Sequence, residues 1–313
     1  MSPISLRDKL STLLAAWRGP HRHQGPNRRP GGLPARRILV GTHHKTGSRW
    51  MRNLFAAVCE EHSLRFHGGS GSEAPANWDL LFEDHSQFDR RLLATPFRGL
   101  HLIRDPRDIV ISGAFYHQHA TEAWLTQPLP VLGGESYQAA LNARATLDER
   151  IAFEMEYAAR HTLGEMLAWR YTDPRFFEAK YEDLIADTDL HLFRGVFLFL
   201  GFPRDRLDRT LEIVYRNSLF SGLVQDPGHV RSGRPRQWEH YFTAAHGRMF
   251  LDLFGNALIR LGYERDNASN VPCLLADARL ANPQTDWTLF ADRLGRVREA
   301  PALRSRAESC RRS

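Results

Sequence analysis

The spacing of apolar residues changes twice between residues 36 and 62. A short apolar run, Ile38–Val40, fits a buried β-strand, and the polar stretch 41–48 that follows it fits a loop. The next apolar residues recur three and four positions apart, which places them on one face of an α-helix. They are Trp50, Met51, Leu54, Phe55 and Val58. The pattern therefore predicts a strand, a polar loop and an amphipathic helix in direct succession.

Short apolar runs continue to alternate with helical spacings as far as about residue 261. The predicted strands lie near 80–82, 97–103 and 176–181. The predicted helices cover about 137–170 (two patterns), 188–200, 205–217 and 244–261. The predicted loops, polar or rich in Gly and Pro, are 63–78, 118–135 and 224–242. Strands that alternate with helices favour an α/β fold, a three-layer sandwich with a central parallel sheet.

Composition divides the 313-residue chain into three parts. Residues 18–35 hold four Pro and four Gly, so 1–35 is predicted to be a basic, flexible N-terminal segment. The folded domain is predicted over 36–264, and 265–313 is predicted to be a C-terminal extension with a basic tail. No apolar run approaches the roughly 20 residues that span a bilayer, so no transmembrane segment is predicted.

The net charge of +6 is unevenly distributed. Residues 1–59 carry +10 and residues 293–313 carry +5, which leaves −9 for residues 60–292. A nucleic-acid-binding protein more often carries its basic face on the folded body, so no nucleic-acid partner is expected. The three cysteines form no C-x-x-C pair and are too few for a disulfide framework, which favours a reducing compartment and a cytoplasmic location.

The loop at 41–48 carries the first candidate for chemistry. Loop N–H groups and a helix N-terminus that converge on one spot suit a phosphate. Lys45 adds a point charge, and Thr46 and Ser48 add hydroxyl donors. The loop is not a Walker A motif, because Lys45 precedes Gly47 instead of following it. Taken alone, an ordinary strand–turn–helix with a surface lysine explains the loop equally well.

A second candidate follows the strand predicted at 97–103. The sequence Arg104-Asp-Pro-Arg-Asp108 leads into the next helix, and Ser112 stands eight residues after Arg104, about two turns into that helix. A guanidinium and a hydroxyl that converge at the carboxyl edge of a sheet can hold a phosphate. The alternative is that Arg104 and Asp105 form an ion pair that caps the helix.

The third polar segment is Val230-Arg-Ser-Gly-Arg-Pro-Arg-Gln-Trp238. The three segments follow one another in the same order as the motifs of a known enzyme family. The sequence Lys45-Thr-Gly-Ser-Arg-Trp50 resembles the Lys-Ser-Gly-Thr-Thr-Trp loop of the sulfotransferases that use 3′-phosphoadenosine 5′-phosphosulfate (PAPS). The Arg and Ser eight residues apart resemble the family's 3′-phosphate site. The third segment resembles its Arg-Lys-Gly…Gly-Asp-Trp loop, although Ser232 replaces the usual Lys and Arg236 replaces a Gly.

The resemblance implies a P-loop-like sulfotransferase fold over about 36–261, with PAPS as co-substrate and no metal ion. The implied reaction moves a sulfuryl group to a hydroxyl or amine acceptor, a carbohydrate or a small molecule, and Lys45 would neutralise the leaving phosphate oxygen. A P-loop kinase and a nucleotide- or anionic-polymer-binding protein without catalysis remain as alternatives. The implied nucleotide-binding residues are Lys45, Thr46, Gly47, Ser48, Arg49, Trp50, Arg104, Ser112, Tyr181, Ser218, Phe220, Arg231, Ser232 and Gly233.

The catalytic base is predicted to be His85, at the end of the apolar run 80–82. In the family, the His of a Lys-Thr-His segment stands at about this place and takes the acceptor's proton. Here the segment is Glu83-Asp84-His85, without the Lys. An imidazole with its ordinary pKa near 6.5 is a suitable base at neutral pH. His43 and His44, beside the loop lysine, are the rival candidates.

The segment after the third loop bears on the oligomeric state. Many family members pair through a sequence resembling Lys-x-x-x-Thr-Val-x-x-x-Glu. Here Thr243 remains, Ala244 replaces the Val, and the end charges are reversed as Glu239 and Arg248. Reversed charges still attract across a two-fold axis, but the lost methyl groups remove about 1 kcal/mol or more of apolar burial per copy. A monomer or a weak homodimer is therefore expected.

Overall fold

The computed structural model describes residues 36–72, 74–223 and 232–265. The N-terminal segment predicted at 1–35 and nearly all of the extension predicted at 265–313 lie outside these ranges, and so does Arg231. The predicted division into three parts therefore stays a prediction. Cys59 is buried, and the other two cysteines lie beyond the described residues.

One sheet of five parallel strands forms the centre of the fold. The strands are β1 Arg37–Gly41, β2 Phe66–Gly68, β3 Leu80–Glu83, β4 Phe97–Ile103 and β5 Phe176–Lys180. Their order across the sheet is β2-β3-β1-β4-β5, so β1 is central and pairs with β3 and β4. Because the strands are parallel, the segments that follow β1, β3 and β4 converge at one edge of the sheet.

The α-helices lie between and after these strands. The longer ones are α1 Ser48–Glu61, α3 Pro106–Tyr116, α6 Leu147–Glu156, α7 Ala158–Ala168, α9 His191–Leu200, α10 Arg204–Arg216 and α12 Ala244–Phe254. The shorter ones are α2 Arg90–Leu93, α4 Ala123–Thr126, α5 Tyr137–Asn142, α8 Tyr181–Ala186, α11 Trp238–Tyr241 and α13 Ala257–Arg260. Two 3₁₀ turns occupy Pro130–Leu132 and Leu219–Ser221.

Helices cover the sheet because its strands are almost continuously apolar. The largest buried cluster joins Val40 and Leu100 of the sheet to Phe55 of α1, Phe197 of α9 and Leu211 of α10. A second cluster joins α3, α6, α7 and α12. A parallel sheet that is flanked by helices confirms the predicted α/β fold. In the part of the chain that the structure describes, no helix is both long and apolar enough to cross a membrane.

The structure differs from the predicted elements at several places, and the helix predicted at 244–261 is divided into α12 and α13. Strand β2 lies inside the stretch 63–78 that was predicted as a loop, because three residues are too few to show alternation. The pattern at 137–170 forms three helices, since Thr146 starts α6 with a capping box and Tyr157 leaves helical geometry at φ −113° and ψ −86°. The predicted loops 118–135 and 224–242 contain the short helices α4 and α11.

Candidate active site

The loop between β1 and α1 turns through two residues in the left-handed region. Lys45 has a φ of 63° and Gly47 has a φ of 101°. A Cβ on Gly47 would lie 3.0 Å from the ring of Tyr181, so a side chain there would face both backbone strain and an aromatic ring. The turn brings the positive end of the α1 dipole to the carboxyl edge of the sheet.

A cleft of about 1060 Å³ opens at this edge, at the upper end of the size range of small-molecule sites. The predicted site residues that line it are Lys45, Gly47, Ser48, Arg49, Trp50, His85, Arg104, Ser112, Tyr181, Ser232 and Gly233. Side chains that the sequence analysis did not predict line it too, among them Arg52, Asn53, Tyr116, Glu122 and Gln237. One cavity therefore combines residues from all three sequence segments.

The hydroxyl groups of the loop differ in their accessibility. Thr46 is fully buried, and its Oγ1 donates to the His43 carbonyl at 2.8 Å and accepts from the His43 N–H at 3.0 Å. Ser48 lines the cleft, and its Oγ donates to the same carbonyl at 2.8 Å. The Thr42 hydroxyl donates to Ser48 Oγ at 2.8 Å. Thr46 is thus engaged inside the loop, while Ser48 stands at the cleft wall.

The Lys45 ammonium lies over an aromatic ring at the cleft wall. Its Nζ is 3.1 Å from the centroid of the Tyr116 ring, a cation–π contact. Burial lowers the pKa of Lys45 from 10.5 to about 7, and repulsion from Arg104 acts in the same direction, against attraction by Glu122 and Glu154. An anion bound beside this group would raise its pKa and keep it charged.

Arg104 reaches the cleft because β4 ends directly before it. Its Nη1 donates to the Lys45 carbonyl at 3.1 Å, and its Nη2 lies 3.5 Å from the Asp108 carboxylate. The guanidinium also lies 4.6 Å from the centroid of the Tyr181 ring. Its Nε is buried and has no hydrogen-bond partner among the described residues. A guanidinium with an unsatisfied donor suits an anionic ligand.

The other charged residues of the same segment stabilise the fold. Asp105 caps α3 by accepting from the Arg107 N–H at 2.9 Å, and its carboxylate also binds the Arg107 guanidinium at 2.8 Å. Arg107 reaches Glu264 as well and lies 3.6 Å from the centroid of a Trp238 ring. The capping ion pair that the sequence allowed is therefore made with Arg107, which leaves Arg104 at the cleft.

The third sequence segment contacts the first two. The Tyr181 hydroxyl donates to the Gly233 carbonyl at 2.6 Å, and Asp108 accepts the backbone N–H of Trp238 at 3.0 Å. These two hydrogen bonds hold the segment against β5–α8 and α3 at the cleft. Arg231, which was predicted to bind the nucleotide, lies outside the described residues.

Two aromatic rings form the wall near the start of α1. Trp50 and Tyr181 pack edge to face with centroids 5.8 Å apart, and both line the cleft. The Trp50 Nε1–H donates to the Asn217 carbonyl at 2.8 Å, which fixes the indole. Burial raises the pKa of Tyr181 to about 12, so its hydroxyl stays a donor at neutral pH.

The segment that contains the predicted nucleotide-binding residues Ser218 and Phe220 lies beside these rings. Ser218 is fully buried, and its hydroxyl donates to the Tyr215 carbonyl at 2.7 Å. Phe220 packs against the main apolar cluster and lies 6.2 Å from the Tyr215 ring, centroid to centroid. Leu219, which stands between the two predicted residues, lines the cleft. The structure thus places the segment at the site, with a different residue at the wall.

His85 lies after β3 and contacts a carboxylate from α7. Its Nδ1 is 3.2 Å from Glu165 Oε2. This hydrogen bond raises the pKa of His85 above 6.5 against the effect of burial, and the charges of Glu165, Glu83 and Asp84 add to it. The Glu83 carboxylate accepts the backbone N–H groups of His85 and Gln87 at 3.1 and 2.6 Å. Glu83, which replaces the family's Lys, therefore stabilises the turn that carries His85.

The rival base His43 is buried, with 1% of its surface exposed, and it does not line the cleft. Its Nδ1 lies 3.4 Å from Glu165 and its Nε2 lies 2.9 Å from His101 Nε2. Burial lowers the pKa of His43 to about 4. Both of its ring nitrogens are thus occupied within the protein, so His43 supports other residues instead of meeting a ligand.

The other rival, His44, lines the cleft and belongs to a second histidine pair. Its Nε2 lies 2.8 Å from His117 Nε2, and His117 Nδ1 lies 2.9 Å from Glu154. Burial, with repulsion from His117 and Lys45, lowers the pKa of His44 well below 6.5. An imidazole with so low a pKa is a weak acceptor of protons, which favours His85 over His44 as the base.

Sequence reasoning missed the residues behind the candidate bases. Glu165 is separated from His85 by 80 positions, and His117 is separated from His44 by 73, so only the fold reveals these contacts.

Two sets of three side chains have potential metal-ligand atoms, nitrogen and oxygen, within 4.8 Å of one another. The shorter contacts within these sets are hydrogen bonds. The sets are His44, His117 and Glu122, and His85, His161 and Glu165. The expected absence of a metal ion stays a prediction.

A comparison with solved structures finds sulfotransferase and retinol dehydratase structures that match this chain at low sequence identity. The structure of mouse sulfotransferase SULT7A1 complexed with PAP has 17% identity and a TM-score of 0.48, and the match covers 71% of this chain and 84% of that one. Retinol dehydratase in complex with androsterone and inactive cofactor PAP has 15% identity and a TM-score of 0.45, covering 71% of this chain and 80% of that one. Retinol dehydratase in a complex with retinol and PAP has 16% identity and a TM-score of 0.43, covering 77% and 85%.

No curated protein matches the sequence. The family model described as the sulfotransferase domain matches residues 81–262, which is more than half of the chain. The match begins in β3, so β1 and the loop that carries Lys45 precede the matched region. β1 nevertheless belongs to the same sheet as the matched strands. The family resemblance that the sequence motifs indicated is therefore confirmed, and the chain belongs to the sulfotransferase domain family.

Proposed function

We propose that this protein transfers a sulfuryl group from PAPS to a hydroxyl or amine acceptor. The observation that carries the proposal is that three functional side chains share the cleft at the carboxyl edge of the sheet. Lys45 comes to it from the loop after β1, His85 from the end of β3 and Arg104 from the end of β4. A base, a cation for the leaving group and an anion-binding guanidinium are the parts that this reaction needs.

The described residues fit an anionic nucleotide. The N-terminus of α1 and Lys45 offer positive potential, and Arg104 keeps a buried Nε donor that no described residue satisfies. Trp50 and Tyr181 offer aromatic surface for a base. We assign Lys45, Gly47, Ser48 and Arg49 to the 5′ side, and Arg104, Ser112, Arg231, Ser232 and Gly233 to the 3′-phosphate. The adenine side is assigned to Trp50, Tyr181 and the segment 218–220.

The reaction then follows from the positions of two side chains. When bound, PAPS supplies the sulfuryl group. The His85 imidazole accepts the proton of the acceptor's hydroxyl or amine, which makes that atom a better nucleophile. The Lys45 ammonium stabilises the negative charge that develops on the leaving phosphate oxygen. The hydrogen-bonded loop 42–48 keeps the lysine in place, so little reorganisation is needed during transfer.

Thermal-shift measurements with PAPS, its desulfated product and ATP test the nucleotide part of the proposal. We expect PAPS and the product to raise the melting temperature and ATP to raise it less. Stabilisation by ATP alone would instead favour a P-loop kinase. A radiolabelled-sulfate transfer assay over an acceptor panel tests the chemistry, and tight nucleotide binding without any transfer would favour a binding protein that lacks catalysis.

Replacing Arg104 should reveal the 3′-phosphate contact. We expect Arg104→Ala to weaken PAPS binding by about tenfold to a hundredfold, since a hydrogen bond to a charged group is worth about 1.5–3 kcal/mol. A nucleotide without the 3′-phosphate should bind nearly as before, and Arg231→Ala should show the same selectivity. Isothermal titration calorimetry measures both affinities.

The control for this experiment is Arg216→Ala, which removes an exposed arginine that pairs with Glu212 outside the cleft. It should leave both affinities unchanged. If Arg104→Ala weakens both nucleotides equally, the arginine supports the loop through its bond to the Lys45 carbonyl and has no selective role at the 3′-phosphate.

Three further expectations stay predictions. The acceptor is expected to carry a hydroxyl or an amine, and the three cysteines favour a reducing compartment. The protein is expected to be a monomer or a weak homodimer. Thr243, which the family uses near its dimer contact, caps α12 here by accepting the His246 N–H at 3.3 Å. The cap gives Thr243 a structural role that needs no second chain.

A further inference from the structure

We propose that Glu165 is a positioning residue for the reaction: its carboxylate holds the His85 imidazole so that Nε2, the basic nitrogen, faces the cleft. The inference rests on the proposed function, because it deepens the role that His85 has there. Glu165 comes from α7, and the sulfotransferase motifs quoted above do not include it.

Four side chains hold the Glu165 carboxylate, which is only one-tenth exposed. Its Oε2 lies 3.2 Å from His85 Nδ1 and 3.4 Å from His43 Nδ1. Its Oε1 accepts from Gln87 Nε2 at 2.8 Å and lies 3.1 Å from His161 Nε2. A carboxylate with four partners from three parts of the chain has little freedom to rotate, so it can orient the imidazole that it contacts.

The charge of Glu165 decides which nitrogen of His85 carries the proton. Burial alone would raise the pKa of the Glu165 carboxyl, but hydrogen bonds from His43 and His85 and the nearby charge of His161 lower it well below its usual value. Glu165 is therefore ionised at neutral pH and can only accept hydrogen bonds. The proton of neutral His85 consequently lies on Nδ1, and Nε2 keeps the lone pair that a base needs.

Buried side chains behind Glu165 form a series of hydrogen bonds that all run in the same direction. His43 is neutral at pH 7, so its Nδ1–H donates to Glu165 and its Nε2 accepts from His101 Nε2–H at 2.9 Å. His101 is fully buried and neutral, so its Nδ1 accepts from Glu178 at 2.5 Å. Burial raises the pKa of Glu178 to about 8, so this carboxyl carries the required proton at pH 7. Each hydrogen-bond donor in this series thus points towards Glu165.

Other titratable groups also face His85. They are His43 and His44 from the loop after β1, Glu83 and Asp84 from the end of β3, and His161 and Glu165 from α7. Glu165 is the member of this set whose carboxylate bonds directly to the imidazole. When His85 accepts the acceptor's proton, the imidazolium forms beside an ionised carboxylate, which stabilises the new charge as it appears.

The test is Glu165→Gln in the full-length chain, with sulfuryl transfer measured across pH. We expect turnover to fall about a hundredfold, because a displaced base is costly even when it is present. The carboxylate raises the pKa of His85, so its loss should move the acid limb of kcat/KM to lower pH. Affinity for the desulfated nucleotide should not change. Unchanged turnover with an unmoved acid limb would overturn the proposal.

Two further variants make the result decisive. Glu156→Gln changes an exposed carboxylate on α6 and should leave turnover and the acid limb as in the wild type. Glu165→Asp keeps the charge but withdraws it by one methylene, so its turnover and acid limb should lie between those of the wild type and Glu165→Gln. If the Gln variant does not fold, Glu165→Asp provides the test in its place. Lost turnover with an unmoved limb and weaker nucleotide binding would show a merely structural role.

An NMR titration of the histidines separates this inference from the proposed function. The His85 signal is assigned by its absence in His85→Asn, and its titration is followed in the wild type and in Glu165→Gln without any substrate. A lower pKa in the Gln variant supports the contact with Glu165, even if the wild type transfers no sulfuryl group and the proposed function fails. An unchanged His85 titration overturns the inference regardless of activity.

Discussion

His85→Asn should sharply reduce sulfuryl transfer while the protein still binds its nucleotide. The side chain lines the cleft with Nδ1 held by Glu165, so Asn keeps the polarity of the site but removes the basic nitrogen. Positioned general bases contribute about 10²–10⁴-fold, and we expect a loss in this range. Single-turnover transfer assays with a fixed acceptor measure the loss, and calorimetry with the desulfated nucleotide measures the retained affinity.

The two rival histidines supply the comparison for this variant. His44→Asn should reduce transfer much less, because a pKa well below 6.5 makes His44 a weak base. His43→Asn should act indirectly by releasing one contact to Glu165. If transfer survives in His85→Asn and is lost in His44→Asn, the base has been assigned to the wrong residue.

Lys45→Ala should lower turnover by at least about a hundredfold, since removing one preorganised group that stabilises developing charge costs about 10²–10³ in turnover. The ammonium is the only part of the side chain that can meet the charge on a leaving phosphate oxygen. Nucleotide affinity should change less, because that charge develops in the transition state. Steady-state kinetics and calorimetry on the purified variant measure the two effects separately.

A second substitution distinguishes charge from packing at this position. Lys45→Met keeps most of the side-chain volume over the Tyr116 ring but removes the ammonium. The two variants should be equally slow if charge is what matters. Near-normal turnover in either one would contradict the role assigned to Lys45, whereas a slow Ala variant beside an active Met variant would show that packing against Tyr116 carries the effect.

The sequence could predict those parts of the site that depend on local order. Ile38–Val40 is apolar enough to be a central strand, so the residues after it had to lie at the carboxyl edge of a parallel sheet. Arg104 was predictable for the same reason, because it directly follows β4. Each motif is contiguous in sequence and directly follows a strand, so the end of that strand determines where its residues lie. His85, predicted from its place after 80–82, lies at the cleft as well.

Contacts that depend on packing between distant elements could not be predicted in this way. Glu165 is one of several carboxylates on helical patterns, and nothing local distinguishes it from its neighbours. Arg104 and Arg107 are both arginines three residues apart, yet one faces the cleft and the other binds Asp105 and Glu264. That choice depends on where residue 264 packs, which is information from the end of the domain.

The low pKa of Lys45 makes binding in the cleft a proton-coupled event. With a pKa of about 7, this group is only partly protonated in the empty protein at neutral pH. A bound anion raises that pKa, so nucleotide binding is accompanied by the uptake of a fraction of a proton from solution. Affinity should therefore be fully developed below pH 7 and fall as the pH rises above it, and the heat of binding should vary with the ionisation enthalpy of the buffer. The lysine thus makes nucleotide occupancy sensitive to the pH of its surroundings.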